Sequence, residues 1–472
     1  MNVKPFATLA TGFLLLACGG PAFAQTRGSA LVPPPGSPFL GGIPDRSPTN
    51  EPLTLSISDA IHRALDHNLG AIEAEGGLEH ARGTRLIAFS DLLPKVDATL
   101  SEARRKTNLE AFGFPLGPGF PRVVGPYNVF DARVTVTQTA FNLSAINDAR
   151  AEGHNVAAAR LSYRSARDVV VLVTANMYLQ VLASAARAES ARAQLTTAEA
   201  LYAQAQDLKQ GGIIAGIDVI RAGVRRSMDR QRRTAAENDF EKAKLQLARV
   251  IGLPIGQSFA LSDQLPTIPF PDMTLEDALA RAYRDRPDFL AAQERVRAAE
   301  GKRAAAVAEA LPSVNVTADY GAIGLTRGSA LPTYNIAAGL RVPIFQGGLI
   351  RGRVLEADAD LRRRRAEAED LRAEVDYDVR SALLDLKATS EELQAANEAR
   401  QLANQQLEQS RDRFAAGVAN NLEVIQAQEA VTLASEQYIS SLYGFNVSKA
   451  LLLESLGTAE EAVQKYFGGS TP

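Results

Sequence analysis

Residues 130–150, FDARVTVTQTAFNLSAINDAR, change their period halfway along. Phe130, Ala132, Val134 and Val136 alternate with Asp131, Arg133, Thr135 and Thr137, the two-residue period of a strand with one apolar and one polar face. After Ala140-Phe141 the alternation stops, and residues 142–210 contain no proline and a single glycine, Gly153, near their start. That is far beyond an ordinary globular helix. At 1.5 Å per residue, roughly 68 residues make a rod of about 100 Å. Leu172, Ala175, Leu179, Leu182 and Ala186 recur at steps of three and four, a coiled-coil seam with small knobs.

The pattern occurs twice. Residues 59–94 open with Asp59-Ala60 and close with Leu93-Pro94; residues 277–312 open with Asp277-Ala278 and close with Leu311-Pro312. Both are Ala-rich, of helical type and about 35 residues long. Strand alternation follows each, at Val96, Ala98 and Leu100 and at Val314, Val316, Ala318 and Tyr320. The second strand of the second copy runs through Ile336, Ala338, Leu340, Val342 and Ile344. A second proline-free stretch, 349–416, carries Leu386, Leu393, Leu407 and Phe414 seven apart, with Arg400 in the missing place. Gly211-Gly212-Ile213-Ile214-Ala215-Gly216 and Gly417-Val418-Ala419-Asn420-Asn421 then reverse the chain. Returning helices are expected over 217–251 and 422–456. The expected organisation is a leader (1–24), a Pro-rich arm (25–52, extended along the outside or disordered), repeats over 53–262 and 263–457, and a tail (458–472).

The first residues read as an export signal. Lys4 precedes an apolar run of about a dozen residues, too short to cross a bilayer, and Ala22-Phe23-Ala24 fits a cleavage site. Leu15-Leu16-Ala17-Cys18 offers a rival lipoprotein reading, with Cys18 as the candidate lipidation site; Leu16 fits that box poorly, which favours cleavage after Ala24. No other stretch reads as apolar enough for a membrane-spanning helix.

Composition excludes several classes of chemistry. The 472 residues carry 51 basic and 54 acidic side chains, a net charge of −3, which gives no electrostatic case for nucleic acid. One cysteine rules out a disulfide framework and multi-thiolate metal sites, and four histidines do not suggest a metal centre. His62 and His67 lie five apart, with His80 further off, so they do not share one helical turn. The Gly-rich residues 112–120 lack the lysine and strand-to-helix context of a phosphate loop and read as a surface loop between strands. There is no serine nucleophile elbow, and Arg362 to Arg365 read as a solvated face. No cofactor and no enzymatic activity are expected.

Four strands near membrane-crossing length are too few for a barrel, since the smallest membrane barrels have about eight. Unpaired strand edges are not tolerated in lipid. Transmembrane strands would therefore demand a barrel shared among several copies, with the rods projecting from it. A soluble half-buried sheet fits the alternation by itself equally well, so the context decides.

The duplicated Asp-Ala starts and Leu-Pro entries, Ala140-Phe141, Ile344-Phe345-Gln346-Gly347-Gly348, Arg413-Phe414-x-x-Gly417, and the pairs Asp218-Val219 and Glu423-Val424 together closely resemble the TolC-type outer membrane efflux protein family. The resemblance covers about residues 53–457. It implies a mainly α chain with internally duplicated long helical hairpins forming a tunnel, and four strands given to a twelve-strand barrel shared by a homotrimer. It further implies an outer-membrane exit duct for small molecules, metals or proteins, with lipids around the barrel and the helices in the periplasm. A periplasmic adaptor and an inner-membrane transporter would be its partners. Asp218 and Glu423 match gate positions of the family. Gln426 stands where some relatives have a further acid and Ala419 where some have a base. The turn residues Gly211, Gly212, Ile213, Gly216, Gly417, Val418 and Asn420 match the adaptor-docking tips. The competing reading is a periplasmic coiled-coil adaptor or scaffold that never enters the membrane; such adaptors carry one hairpin, whereas this chain has two.

Overall fold

The computed structural model describes residues 33–44, 48, 51–113, 117, 119, 121–416, 418–419 and 421–460. The leader with Cys18, the turn positions Gly417 and Asn420, residues 461–472 and parts of the arm and of the 112–120 loop lie outside the described residues.

Both repeats follow one order. β1 (Leu53–Leu55), α1 (Ile57–His67), α2 (Leu69–Ser90), β2 (Lys95–Asn108) and β3 (Val123–Phe141) lead into the hairpin of α3 (Leu143–Gln210) and α4 (Gly216–Val250). β4 (Phe259–Leu261), α5 (Leu275–Asp285), α6 (Pro287–Ala308), β5 (Ser313–Gly324) and β6 (Leu331–Arg341) then lead into α7 (Leu349–Ala415) and α8 (Asn421–Ser455). The rods are 68 and 67 residues long.

The Asp-Ala motif has a physical cause. Asp59 and Asp277 are the third residues of helices whose N-caps, Ser56 and Thr274, accept their backbone N–H at 3.1 and 3.2 Å. The 35-residue helical stretches expected behind them are each divided in two, which corrects the sequence reading. The breaks fall at equivalent places, Asn68 and Arg286, both in extended conformation. Asn68 is fully buried, its Nδ2 donating to the carbonyls of Phe39 and Val250 and its Oδ1 capping Gly70. In the second repeat Pro287 opens the new helix, where its missing N–H costs nothing. Each break is pressed by a glycine that ends the returning helix: Gly252 (φ +64°) beside His67, and Gly457 (φ +71°) with space for a Cβ only 2.6 Å from the Arg286 Cα.

Two cores sit where the short helices meet the rods. In the first, Val170, Val171, Leu179 and Val181 of α3 pack with Ile57, Ala60 and Leu247. Tyr178, fully buried, donates to the Leu55 carbonyl at 2.9 Å and to Asp263 at 2.7 Å, which anchors the short parallel β1–β4 sheet that alternation did not reveal. This packing corrects another expectation. α3 does contain an 18-residue stretch apolar enough to cross a membrane, but 72% of it is buried within the chain. In the second core, Ala278, Phe289, Val375, Val379, Leu452 and Leu456 cluster. Asn446 and Lys449 of α8 donate to the carbonyls of Pro266 and Ile268, strapping the inter-repeat segment across the rod. Burial pulls the Lys449 ammonium down to about 8.

The α7 seam differs from the leucine heptad read in the sequence. Its buried positions are Ala382, Thr389, Ala396, Ala403 and Ser410, while Leu386, Leu393, Leu407 and Phe414 are only half-buried. Small knobs let the rods approach closely, and the leucines close the flanks. Arg400 stacks on Tyr438, 3.8 Å from the ring centre.

The four long strands form an antiparallel sheet in the order β2-β3-β5-β6. Its rows keep faces distinct: Asp97, Thr135, Asp319 and Asn335 share one row, Ala98, Val134, Tyr320 and Tyr334 the next. On the polar face Arg133 bridges Asp131 and Asp319. β2 and β6 are open edges. β6 stops at Arg341 rather than at Ile344, because its partner β5 begins only at Ser313, opposite Arg341.

The strand-to-rod junction depends on one close approach. A Cβ on Gly301 of α6 would lie 2.9 Å from the Ala151 side chain and 3.2 Å from its Cα on α3. Gly301→Leu is expected to destabilise by about 1–3 kcal/mol through overpacking, read as a lower thermal midpoint of the helical signal in detergent.

Candidate functional site

Each rod ends in a turn built to reverse direction. At the first, Gly211 and Gly212 donate to Asp207 and Lys209, and Ile213 to Leu208 at 2.9 Å; Gly212 takes the left-handed φ of +72° that this closure needs. Gly211, Gly212 and Ile213 are exposed, Gly216 half-buried. Asp218 lies in the first turn of α4, where an acid suits the helix dipole. It accepts from Arg221 at 3.4 Å. At the second turn Val418 donates to the Arg413 carbonyl and its side chain is exposed. Glu423, in the first turn of α8, accepts from Arg413 Nε at 3.0 Å, closing the tip with an ion pair. Gln426 is exposed. Asp218 and Glu423 occupy equivalent places in the two hairpins, and the structure gives each its own arginine.

A second constellation lies about two to four turns behind the tips and was missed in the sequence. Arg225 of α4 is buried, with Nε on Asp229 at 2.8 Å, Nη1 on Glu429 of α8, and Nη2 on Thr432 of α8 at 2.9 Å. Arg232 reaches Asp229 and Glu429, both at 3.2 Å. Asp229 is 1% exposed. Burial pushes the Glu429 carboxyl up, but Arg225 and Arg232 outweigh it and hold it below the usual range. These side chains pin hairpin one to hairpin two. The available signal is a departure from the duplication: where the first hairpin has Arg225, Asp229 and Arg232, the second has the uncharged Ala430, Ala434 and Gln437 at the equivalent positions. Charge on one hairpin that its repeat lacks marks a contact between unlike helices.

Among the described residues no three His, Cys, Asp or Glu side chains converge on a metal position. A cavity of about 740 Å³ lies between the rods, lined by Phe240, Arg400 and Tyr438 among others. It is a gap in helix packing.

A two-faced sheet with both edges open, carried on two rods of about 100 Å, has the form of a membrane-barrel segment continued by long helices. The sequence profile of the outer membrane efflux protein family matches residues 60–253 and 278–458, and the chain belongs to that family. It is an outer-membrane efflux channel protein whose helical part lies in the periplasm. The chain is 24% identical over 441 residues to the pyoverdine export outer membrane protein OpmQ of Pseudomonas putida, 90% of each chain being covered. It is 22% identical over 357 residues to the outer membrane protein TolC of Escherichia coli, covering 71% of this chain and 70% of that one. The fold superposes on the CmeC outer membrane channel of Campylobacter jejuni with a TM-score of 0.73 at 18% identity, over 92% and 93% of the two chains. The reading as an adaptor that stays out of the membrane is set aside by these relationships.

Proposed function

We propose that three copies of this chain form the outer-membrane exit duct of a tripartite export system, joined through a periplasmic adaptor to an inner-membrane transporter. The observation that supports it best is the pair of open strand edges, β2 and β6, on a sheet with one apolar face. Four strands close only by pairing with further copies, and three copies give twelve strands. The relationship to the pyoverdine exporter directs the cargo reading to small molecules. Conduction is passive: no residue acts on the cargo, and the rods must splay at their tips to admit it. The exposed turn residues Gly211, Gly212, Ile213 and Val418 and the half-buried Gly216, with Gly417 and Asn420, are the surface an adaptor would meet. Asp218 and Glu423, repeated around the axis, form a negative ring that favours cations, with Gln426 a turn further on. The Arg225–Glu429 contacts hold the two hairpins together while the entrance is closed.

Mass determination of the detergent-solubilised assembly tests the trimer; a monomer overturns it. In planar bilayers, Asp218→Ala combined with Glu423→Ala is expected to raise single-channel conductance or weaken cation preference. If conductance and reversal potential both stay as in the parent, these two residues do not form the gate.

A further inference from the structure

The duplication says how one copy meets the next. Within the sheet, β5 repeats β2 at an offset of 218 and β6 repeats β3 at an offset of 204, since the pair Lys95 with Thr137 recurs as Ser313 with Arg341, and Val96 with Val136 as Val314 with Leu340. One pairing, β3 with β5, crosses the repeat boundary inside the chain: Val136 lies opposite Ala318, Gln138 opposite Val316, and Phe141 opposite Val314. Advanced by one repeat, these pairs become Leu340 with Leu100, Val342 with Ala98, and Phe345 with Val96. The second member of each stands on β2, at the far edge of the same sheet, so it must come from another copy.

We infer that β6 and residues 342–345 of one copy pair with β2 of the next in this register, Leu340 opposite Leu100 and Phe345 opposite Val96. The inference rests on the shared barrel proposed above and adds what that reading leaves open, namely which residues meet. Exposure supports it. Phe141, which has its partner strand, is 46% exposed, whereas Phe345 in the equivalent place is 87% exposed and Ile344 95%. Leu340 and Leu100 are 68% and 72% exposed on the apolar face. Pro343 takes the place of Thr139, which flanks a register irregularity of the β3–β5 ladder, and a residue without an N–H is tolerated at such a point. Residues 342–345 have no ladder within one chain because the strand they need belongs to the neighbour. A slip of one residue would turn every side chain to the wrong face, so only slips of two compete. Those alternatives place Leu340 opposite Ala98 or Glu102.

Cysteine pairs in outer-membrane preparations of the full-length protein decide among them. Leu340→Cys combined with Leu100→Cys is expected to give an oxidant-dependent ladder of dimer and trimer on denaturing gels. Leu340→Cys with Ala98→Cys, or with Glu102→Cys, should give severalfold less, and each single variant controls for Cys18. A dominant ladder from either slipped pair overturns the register while leaving the shared barrel standing. No ladder from any pair, although the assembly has trimer mass, overturns β6–β2 pairing itself. No ladder and a monomeric mass overturn the assembly reading as well.

Discussion

Arg225→Ala is expected to loosen the periplasmic end of the channel, raising the open fraction in planar bilayers about a hundredfold. Removing one member of a buried ion pair costs about 3–5 kcal/mol, because the partner keeps its charge without compensation. Asp229 retains Arg232 at 3.2 Å, so the effect belongs at the low end, about 3 kcal/mol. At 1.4 kcal/mol per tenfold change, that is two powers of ten in the closed-to-open ratio if the contact exists only in the closed state. Glu429→Gln should do far less, since its side chain is 41% exposed and water screens the pair. If Arg225→Ala lowers the thermal midpoint while the open fraction stays unchanged, the network serves folding and not the gate.

Glu454→Gln is expected to raise the thermal midpoint at pH 8 and to leave it unchanged near pH 4. Burial lifts the Glu454 carboxyl from 4.5 to about 7; Arg286 opposes this, while Asp378, Asp288 and Asp168 add to it. The folded chain therefore holds a proton that the unfolded chain has already released between these two values. Stability is greatest below 4.5, declines as pH rises to about 7, and is flat beyond. Glutamine is neutral throughout and removes the decline, a difference of about 3 kcal/mol at pH 8. Parallel midpoint-versus-pH curves for parent and variant would show that Glu454 does not carry the slope.

Much of this architecture was legible because it is periodic. Residues 142–210 lack helix breakers, and the structure places α3 at Leu143–Gln210; the returning helices and both turns fall within a residue or two of where glycine and the duplication put them. Alternation located all four membrane strands. It undercounted β2 and β3, whose outer ends carry Glu102, Arg104 and Asn128 and so lose the apolar signal while keeping the ladder. The divided helices at Asn68 and Arg286 were not legible, since a single buried extended residue breaks no period. Nor was the clamp: Arg225 and Glu429 are 204 residues apart, and on a polar helix an arginine is unremarkable until α8 arrives beside it.

By itself the sequence determined what local periodicity and repetition can encode: two rods, two strand pairs, their turns and the duplication that relates them. Hydrophobic spacing acts over neighbours, so it survives without knowledge of the fold. Only the tertiary structure decided which helix faces meet, that the most apolar stretch of α3 is a core segment, and that four charged side chains, two of them buried, meet between the hairpins. Burial and charge compensation depend on what packs opposite, and that partner lies hundreds of residues away along the chain.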